Sequence, residues 1–193
     1  SPDDRLRSYA DETEAMNFKP VSVSDYDVLK PFFTRQPYNL SVYSASSVIA
    51  WSFETFEAEY AILHNRELII AGQNKTRPED RHLILPLCLN KSYTPVELRD
   101  IALHAGFTRY WYAPGDYLET LNLSELDSIF HREERTGFSD YVYLTEDLIH
   151  LKGNRFSKKR NLIHQFQREY LHKNRVKVEE ILQENVEECL EFL

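Results

Sequence analysis

The 193-residue sequence contains only two cysteines and one methionine, and its longest apolar runs are far too short to cross a bilayer. The cysteines, Cys88 and Cys189, form neither a CxxC pair nor an even disulfide framework, a pattern typical of a reducing compartment. The sequence also shows no secretory signal peptide. We therefore expect a cytoplasmic protein without a transmembrane segment. A position at the inner surface of the membrane is compatible with this expectation.

The common motifs of metal and nucleotide chemistry are missing as well. The seven histidines form no HxH or HExxH pattern, and no GxSxG, P-loop or dinucleotide-binding fingerprint occurs. Cys88 lies in an apolar run without a neighbouring base, which indicates a buried structural thiol. We therefore expect neither a metal site nor a bound cofactor.

The sequence does contain enough apolar material for a globular core. Hydrophobic residues make up 42% of the chain and aromatic residues 13%, which excludes a disordered protein. A length of 193 residues suits one domain and the beginning of a second. The order of the predicted elements fits an α+β fold.

The predicted elements alternate along the chain. Helices are predicted over residues 24–33, 94–105, 115–121 and 184–193, and residues 46–53 form a helix or an irregular lid. Strands are predicted over residues 59–63, 68–72, 82–88, 107–112, 129–133, 141–144 and 176–181. Residues 64–67 suit a hairpin turn, and residues 75–80, which include Pro78, suit a polar loop.

Several positions carry local signals for these elements. Thr94 is predicted as an N-cap, with Pro95 at the first helical position and Glu97 completing a capping box. Gly106 suits the end of that helix. Ser24 and Thr145 are predicted to cap two further helices. The aromatic run 110–112 lies in a predicted strand, which favours a place in the core over base stacking.

The strongest feature is a reversal of charge between Lys152 and Lys177, a stretch that we call the basic segment. It holds nine lysines and arginines against one carboxylate, Glu169, for a net charge of +8, whereas the whole chain carries −8 and the remainder therefore −16. Concentrated positive charge attracts a polyanion, and phosphates are the commonest polyanion. The alternative is a solvated helix face that is neutralised by the chain's own carboxylates.

The basic segment also has the period of an α-helix. After a turn at Gly153, with Ser157 as the predicted N-cap, four apolar residues recur along one stripe. We call them the apolar stripe, and the pattern predicts that they are buried: Leu162, Ile163, Phe166 and Tyr170. Lys158, Lys159 and Arg168 project from other faces.

The run DYVYLTEDLIHLKGNRFSKKRNLIHQF, from Asp140 to Phe166, resembles the signature of the phosphatidylglycerol lysyltransferase C-terminal domain family. The resemblance extends over about Phe18 to Leu193. It implies a superfamily of acyl or aminoacyl transfer and two GNAT-like domains in tandem. A GNAT-like domain has a mixed, mostly antiparallel sheet flanked by helices, which is therefore the fold we expect. On this basis residues 16–150 are a GNAT-like domain, residues 151–183 a basic connection, and residues 184–193 the start of a second GNAT-like domain.

Both ends of the sequence bear on this interpretation. Met16 directly precedes the first patterned segment, so residues 1–15 are expected to be an upstream extension. The helical pattern of residues 184–193 stops without a cap, so we expect a chain that is cut within the second domain. That second domain would be a partner of the first, and the chain without it is expected to be inactive.

The resemblance also bears on the acyl donor. A GNAT acetyltransferase binds the pyrophosphate of acetyl-CoA on a glycine-containing loop between its central strand and the following helix. The corresponding residues 87–94, LCLNKSYT, contain no glycine, and their leucines would crowd a phosphate. The aminoacyl-transferring relatives use charged tRNA in place of CoA, so tRNA is the expected donor.

Aminoacyl transfer needs groups that hold the anionic tRNA end, stabilise an oxyanion and move a proton. The predicted phosphate- or tRNA-binding residues are Lys152, Arg155, Lys158, Lys159, Arg160 and Asn161. Asp140 and Asp147 are candidate bases, although a loop cap is the simpler role for Asp140.

Three hypotheses follow. The first is an aminoacyltransferase that passes an amino acid from tRNA to a lipid headgroup or a similar acceptor. The second is a non-catalytic module in which the basic helix braces two GNAT-like domains or docks on anionic lipid. The third is an acetyl-CoA N-acetyltransferase with an altered loop.

Overall fold

The computed structural model describes residues 16–34, 36–52, 55–88 and 92–191. These residues form two compact units, the first ending at Val142 and the second beginning at Tyr143. Several predicted features lie outside the described residues: the upstream extension over residues 1–15, Phe53, part of the residue 87–94 loop, and Leu193.

The first unit is built on an antiparallel sheet. Its strands are β1 (Lys19–Pro20), β2 (Phe56–Leu63), β3 (Glu67–Asn74), β4 (Arg77–Leu83) and β5 (Leu87–Cys88). They lie in the order β1-β2-β3-β4, with β5 paired to β3. β2 and β3 pair along their whole length, from Phe56 opposite Asn74 to Leu63 opposite Glu67. The predicted α+β class with a mostly antiparallel sheet is thereby confirmed.

The predicted hairpin turn joins β2 to β3. His64 and Asn65 both have positive φ, 50° and 56°, and the Arg66 N–H donates to the Leu63 carbonyl at 2.9 Å. Two successive residues with positive φ give the twist that a tight antiparallel hairpin requires. The hairpin prediction is therefore confirmed.

Five helices of the first unit are described: α1 (Tyr26–Phe33), α2 (Ala45–Trp51), α3 (Pro95–His104), α4 (Gly115–Leu118) and α5 (Leu123–Ile129). The capping box of α3 is confirmed, because the Thr94 hydroxyl accepts from the Glu97 N–H at 3.2 Å and the Glu97 carboxylate accepts from the Thr94 N–H at 2.8 Å. Gly106, at φ 74°, follows the end of this helix. A 3₁₀ turn, Val23–Asp25, leads into α1; Ser22 is the N-cap of that turn and Asp25 is the N-cap of α1, so the predicted cap at Ser24 is wrong.

The core of the first unit lies between the sheet and these helices. Its fully buried members include Leu29 from α1, Leu98 and Ile101 from α3, and the central residues of β3. Val48 of α2 is buried too, whereas Trp51 at the end of that helix is 64% exposed. Burial of this apolar surface is the main stabilising contribution to the unit.

A crossover through α3 brings the chain back beside β4. Leu83 and Tyr110 form a parallel bridge, in which the Leu83 N–H donates to the Arg109 carbonyl at 3.0 Å and the Trp111 N–H donates to the Leu83 carbonyl at 2.8 Å. The strand predicted over residues 107–112 is reduced to this single bridge. Tyr112 has φ 58°, a left-handed conformation that ends the extended backbone.

Two other predictions for the first unit are wrong. β4 begins at Arg77, inside the predicted polar loop, because a strand at the end of the sheet order tolerates Pro78, which lacks an N–H. The strand predicted over residues 129–133 is absent from the described chain. Helix α5 occupies residues up to Ile129 instead, and the Asn122 side chain caps it by accepting from the Glu125 N–H at 3.2 Å.

The second unit is helical where it is regular. Its helices are α6 (Thr145–His150), α7 (Ser157–Phe166) and α8 (Val186–Glu191), and a π-helical turn, Gln167–Leu171, continues α7. Thr145 and Ser157 are first helical residues, not caps. The strands predicted over residues 141–144 and 176–181 are not formed in the described structure, and both stretches are exposed. No described helix is long and apolar enough to cross a membrane.

Candidate phosphate-binding site in the basic segment

The turn between α6 and α7 presents the start of the basic segment. Leu151 has φ 46° and Gly153 has φ 88° with ψ 170°, a combination that residues with a Cβ rarely adopt. A 3₁₀ turn, Asn154–Phe156, then leads into α7. The turn predicted at Gly153 is confirmed, and it lies just before most of the cations of the basic segment.

Arg160 stabilises this turn through hydrogen bonds to its backbone. Its guanidinium donates to the carbonyl of Leu151 and, at 2.8 Å, to the carbonyl of Gly153. A planar guanidinium with several N–H donors is suited to holding two carbonyls at once. Arg160 was predicted to bind phosphate, and the structure assigns its donors to the protein's own backbone.

Arg155 is also engaged within the unit. Its guanidinium forms an ion pair with Asp147 at 2.5 Å and lies over the ring of Phe156, 4.7 Å from the centroid. The Arg155 side chain remains 67% exposed, so solvent screens this pair. Because Asp147 is tied to Arg155, it is a poorer candidate for a general base than the sequence suggested.

Three cations of the predicted site are exposed and not ion-paired among the described residues: Lys152, Lys158 and Lys159. All three are exposed, and among the described residues none has a carboxylate within ion-pair distance. The sequence explains this, because no Asp or Glu occurs between Asp147 and Glu169. Asn161, one turn into α7, is likewise exposed. Among the described residues of the predicted site, the three lysines are therefore the cations whose donors are not engaged by the protein, while Arg160 keeps its charge although it binds neutral carbonyls.

The later part of the basic segment is partly neutralised by ion pairs. Arg168 and Lys173 both bind Glu169, at 2.9 and 2.7 Å, and these hydrogen bonds, that of Lys173 first, lower the pKa of the Glu169 carboxyl. Lys177 pairs with Glu179. The alternative of an internally neutralised face thus describes the end of the segment, whereas the lysines at its start stay unpaired within the described chain.

The apolar stripe is not buried, contrary to the prediction. The exposed fractions are 63% for Leu162, 45% for Ile163, 42% for Phe166 and 45% for Tyr170. The rings of Phe166 and Tyr170 stack on each other, with centroids 5.5 Å apart. The helical period was correct, but periodicity alone does not say what covers an apolar face.

Asp140, the other candidate base, lies in the first unit. Its carboxylate accepts a hydrogen bond from the Ser41 N–H at 2.5 Å and is exposed to solvent. This contact ties the loop around residue 140 to the loop before α2. It is the capping type of role that the sequence made the simpler interpretation.

A buried group of tyrosines in the first unit was not predicted. Tyr38 donates to the Pro86 carbonyl at 3.1 Å, and the Tyr43 hydroxyl accepts from the Leu85 N–H at 3.2 Å and donates to the Tyr112 carbonyl at 3.0 Å. Burial raises the pKa of both hydroxyls well above the usual tyrosine range. These bonds hold the backbone beyond β4, which indicates a structural role.

The aromatic run and Cys88 complete the predicted positions. Tyr110 and Tyr112 pack against the core, as expected, and Trp111 stacks on the ring of His82 at 4.2 Å between centroids. Cys88 is half-buried, so it is less enclosed than the sequence suggested. Within the described residues, no three His, Cys, Asp or Glu side chains are arranged to hold a metal ion.

The fold and site define a class: an α+β domain followed by a helical unit with an exposed cluster of lysines. Residues 117–193 match the family described as phosphatidylglycerol lysyltransferase, C-terminal. The family likeness predicted from the run Asp140–Phe166 is confirmed over that stretch. No curated protein and no solved structure matches the chain.

Proposed function

We propose that this chain is part of an aminoacyltransferase that moves an amino acid from aminoacyl-tRNA to a lipid headgroup or a similar acceptor. In this role Lys152, Lys158 and Lys159 bind phosphates of the tRNA. The main observation in support of this proposal is that these three lysines are exposed and unpaired among the described residues, within a segment that the family match covers. The alternative is a non-catalytic module that binds anionic lipid.

The chemistry of such a transfer explains why exposed cations are useful. The ester bond between the amino acid and the ribose of tRNA breaks, a new bond to the acceptor oxygen or nitrogen forms, and the acceptor's proton passes to the ribose oxygen. Lysines away from the reacting carbonyl hold the polyanionic donor in place for this step. We assign the chain this donor-binding role and assign no residue to the proton transfer.

A GNAT-like architecture for the first unit is part of the proposal. An antiparallel sheet, followed by the crossover through α3 and the parallel bridge between Leu83 and Tyr110, supports it. Acetyl-CoA is less favoured as the donor, because the residue 87–94 loop contains no glycine. Calorimetry that shows binding of acetyl-CoA to the full chain would favour the acetyltransferase instead.

The decisive experiment compares two double variants that remove the same charge. Lys158→Ala with Lys159→Ala removes unpaired cations, whereas Arg168→Ala with Lys173→Ala removes cations that are already paired with Glu169. In filter-binding titrations with bulk tRNA, the first variant should bind more weakly. Its slope of log K against log salt should be shallower by about 0.7–0.9 per lost phosphate contact.

The matched variant should change both quantities much less. The donor-binding proposal fails if Lys158→Ala with Lys159→Ala binds tRNA with the affinity and salt slope of the unchanged protein. Transfer itself is tested with radiolabelled aminoacyl-tRNAs and phosphatidylglycerol, using a chain that includes the expected second domain. Lipid binding without transfer of any amino acid would favour the non-catalytic alternative.

A further inference from the structure

Helix α7 combines two features that phosphate binding alone does not require. Leu162 and Phe166 are four residues apart, and Tyr170 follows four residues later, so the three side chains lie along one side of the helix with Ile163 beside them. All of them are substantially exposed. An exposed row of aliphatic and aromatic side chains on a charged protein marks a surface for another apolar partner.

The charges of the same helix identify the kind of partner. Lys158 and Lys159 were predicted to project from other faces, but in α7 Lys158 lies one turn before Leu162 and Lys159 lies one turn before Ile163. Two ammonium groups that are unpaired among the described residues therefore stand at the end of the apolar stripe. Helix α7 contains no carboxylate, and Glu169 in the π-helical turn that continues it, where Tyr170 lies, is paired with Arg168 and Lys173. Apolar side chains next to lysines match a surface with an apolar interior and phosphates at its boundary, which is an anionic phospholipid layer.

We propose that α7 lies flat on an anionic phospholipid surface. Leu162, Phe166 and Tyr170 enter the boundary between headgroups and acyl chains, while Lys158 and Lys159 extend to headgroup phosphates. Long lysine side chains can lie along apolar surface and still place their ammonium groups in the polar layer. This inference rests on the proposed function, which supplies the lipid acceptor. It deepens that function by naming the helix that brings the protein to the lipid.

The aliphatic members of the stripe favour lipid over RNA. Aromatic rings can stack on bases, but Leu162 and Ile163 have neither a flat ring nor a hydrogen-bond donor with which to contact a nucleotide. They gain free energy mainly by leaving water. An RNA-binding role would therefore leave the aliphatic half of the stripe without a function, and the two partners respond differently to its removal.

The test is flotation of the full chain with vesicles, comparing phosphatidylglycerol/phosphatidylcholine mixtures with phosphatidylcholine alone. The unchanged protein should float with the anionic vesicles and much less with the neutral ones. Leu162→Ser with Phe166→Ser should weaken binding to anionic vesicles at least tenfold, from the apolar burial lost. Leu103→Ser with Val23→Ser removes two side chains that are 66% and 79% exposed elsewhere, and should float like the unchanged protein.

The tRNA titration separates this inference from the proposed function. Leu162→Ser with Phe166→Ser should leave tRNA affinity unchanged, whereas Lys158→Ala with Lys159→Ala should weaken both tRNA and vesicle binding. Full vesicle binding by the serine variant overturns membrane docking, and so does equal binding to neutral vesicles. If the serine variant loses tRNA affinity instead, the stripe belongs to RNA recognition and the membrane proposal is wrong.

A labelling experiment tests which side of α7 faces the lipid, with a fluorophore at one position of the helix at a time. In a Cys88→Ser, Cys189→Ser background, an environment-sensitive fluorophore is attached through Phe166→Cys or through His164→Cys, which lies on the other side of α7. With anionic vesicles, the first label should shift to the blue and the second should not. Equal shifts, or none at either position, would contradict the proposed orientation.

Discussion

Replacing Tyr43 with phenylalanine should destabilise the first unit without changing its packing. Tyr43 is only 3% exposed, and its hydroxyl accepts from the Leu85 N–H and donates to the Tyr112 carbonyl. These partners belong to two separate stretches, one after β4 and one after the parallel bridge. A single oxygen atom thus joins two backbone segments in the interior.

The magnitude follows from what the substitution leaves behind. Tyr43→Phe keeps the ring but leaves a buried N–H and a carbonyl facing apolar carbon, which costs about 1–3 kcal/mol in the free energy of unfolding. For a chain of this size, 1 kcal/mol corresponds to a change in Tm of about 2–4 °C. The expected decrease in Tm is therefore about 2–12 °C.

Urea and thermal unfolding followed by circular dichroism measure this change. Tyr141→Phe is the matched control, since Tyr141 is 88% exposed and the same oxygen is removed without leaving a buried group unpaired. The control should unfold like the unchanged protein. If Tyr43→Phe is as stable as the control, the hydroxyl does not contribute to holding the two segments together.

Three further changes test other features of the first unit. Thr94→Ala should cost about 1 kcal/mol, since it removes the α3 cap, and urea unfolding measures it. Hydrogen bonds from Ser22 and Tyr60 lower the pKa of the Asp25 carboxyl, so its ionised form should stabilise the fold above about pH 4. Asp25→Asn should therefore be less stable at pH 7, and the difference in free energy of unfolding between the variant and the unchanged protein should shrink on acidification. Burial lowers the pKa of His82, so stability should fall as pH drops below about 6.5, and His82→Gln should flatten that slope in unfolding titrations.

Local signals predicted those elements whose stabilising contacts are local. The α3 capping box involves residues three apart, and the turn at His64 depends on the backbone of two successive residues. Both could therefore be predicted from neighbours in sequence. Helix α5 shows the limit, because its last residue, Ile129, was predicted to lie in a strand and Asn122 was not recognised as an N-cap.

Strands depend on partners that lie far away in sequence. Residues 141–144 have the β-branched and aromatic composition of a strand, yet in the described structure they pair with nothing and are exposed. β-Propensity expresses how well side chains fit a paired, half-buried surface, so it has no effect where no neighbouring strand is present. The apolar stripe was mispredicted for the same reason, because its period was visible and its environment was not.

The basic segment shows what can and cannot be predicted by counting charged residues in a sequence. The sequence located the positive charge, but it did not distinguish cations that bind the protein itself from those that face solvent. At the start of the segment, the guanidiniums of Arg155 and Arg160 bind a carboxylate and two carbonyls, while Lys158 and Lys159 are exposed and unpaired among the described residues. A planar fork loses less freedom per hydrogen bond than a flexible ammonium, so arginines are suited to fixing the turn and lysines to meeting a mobile polyanion. Substituting the arginines would therefore mix a folding defect with a binding defect, which is why the lysines alone are the informative positions.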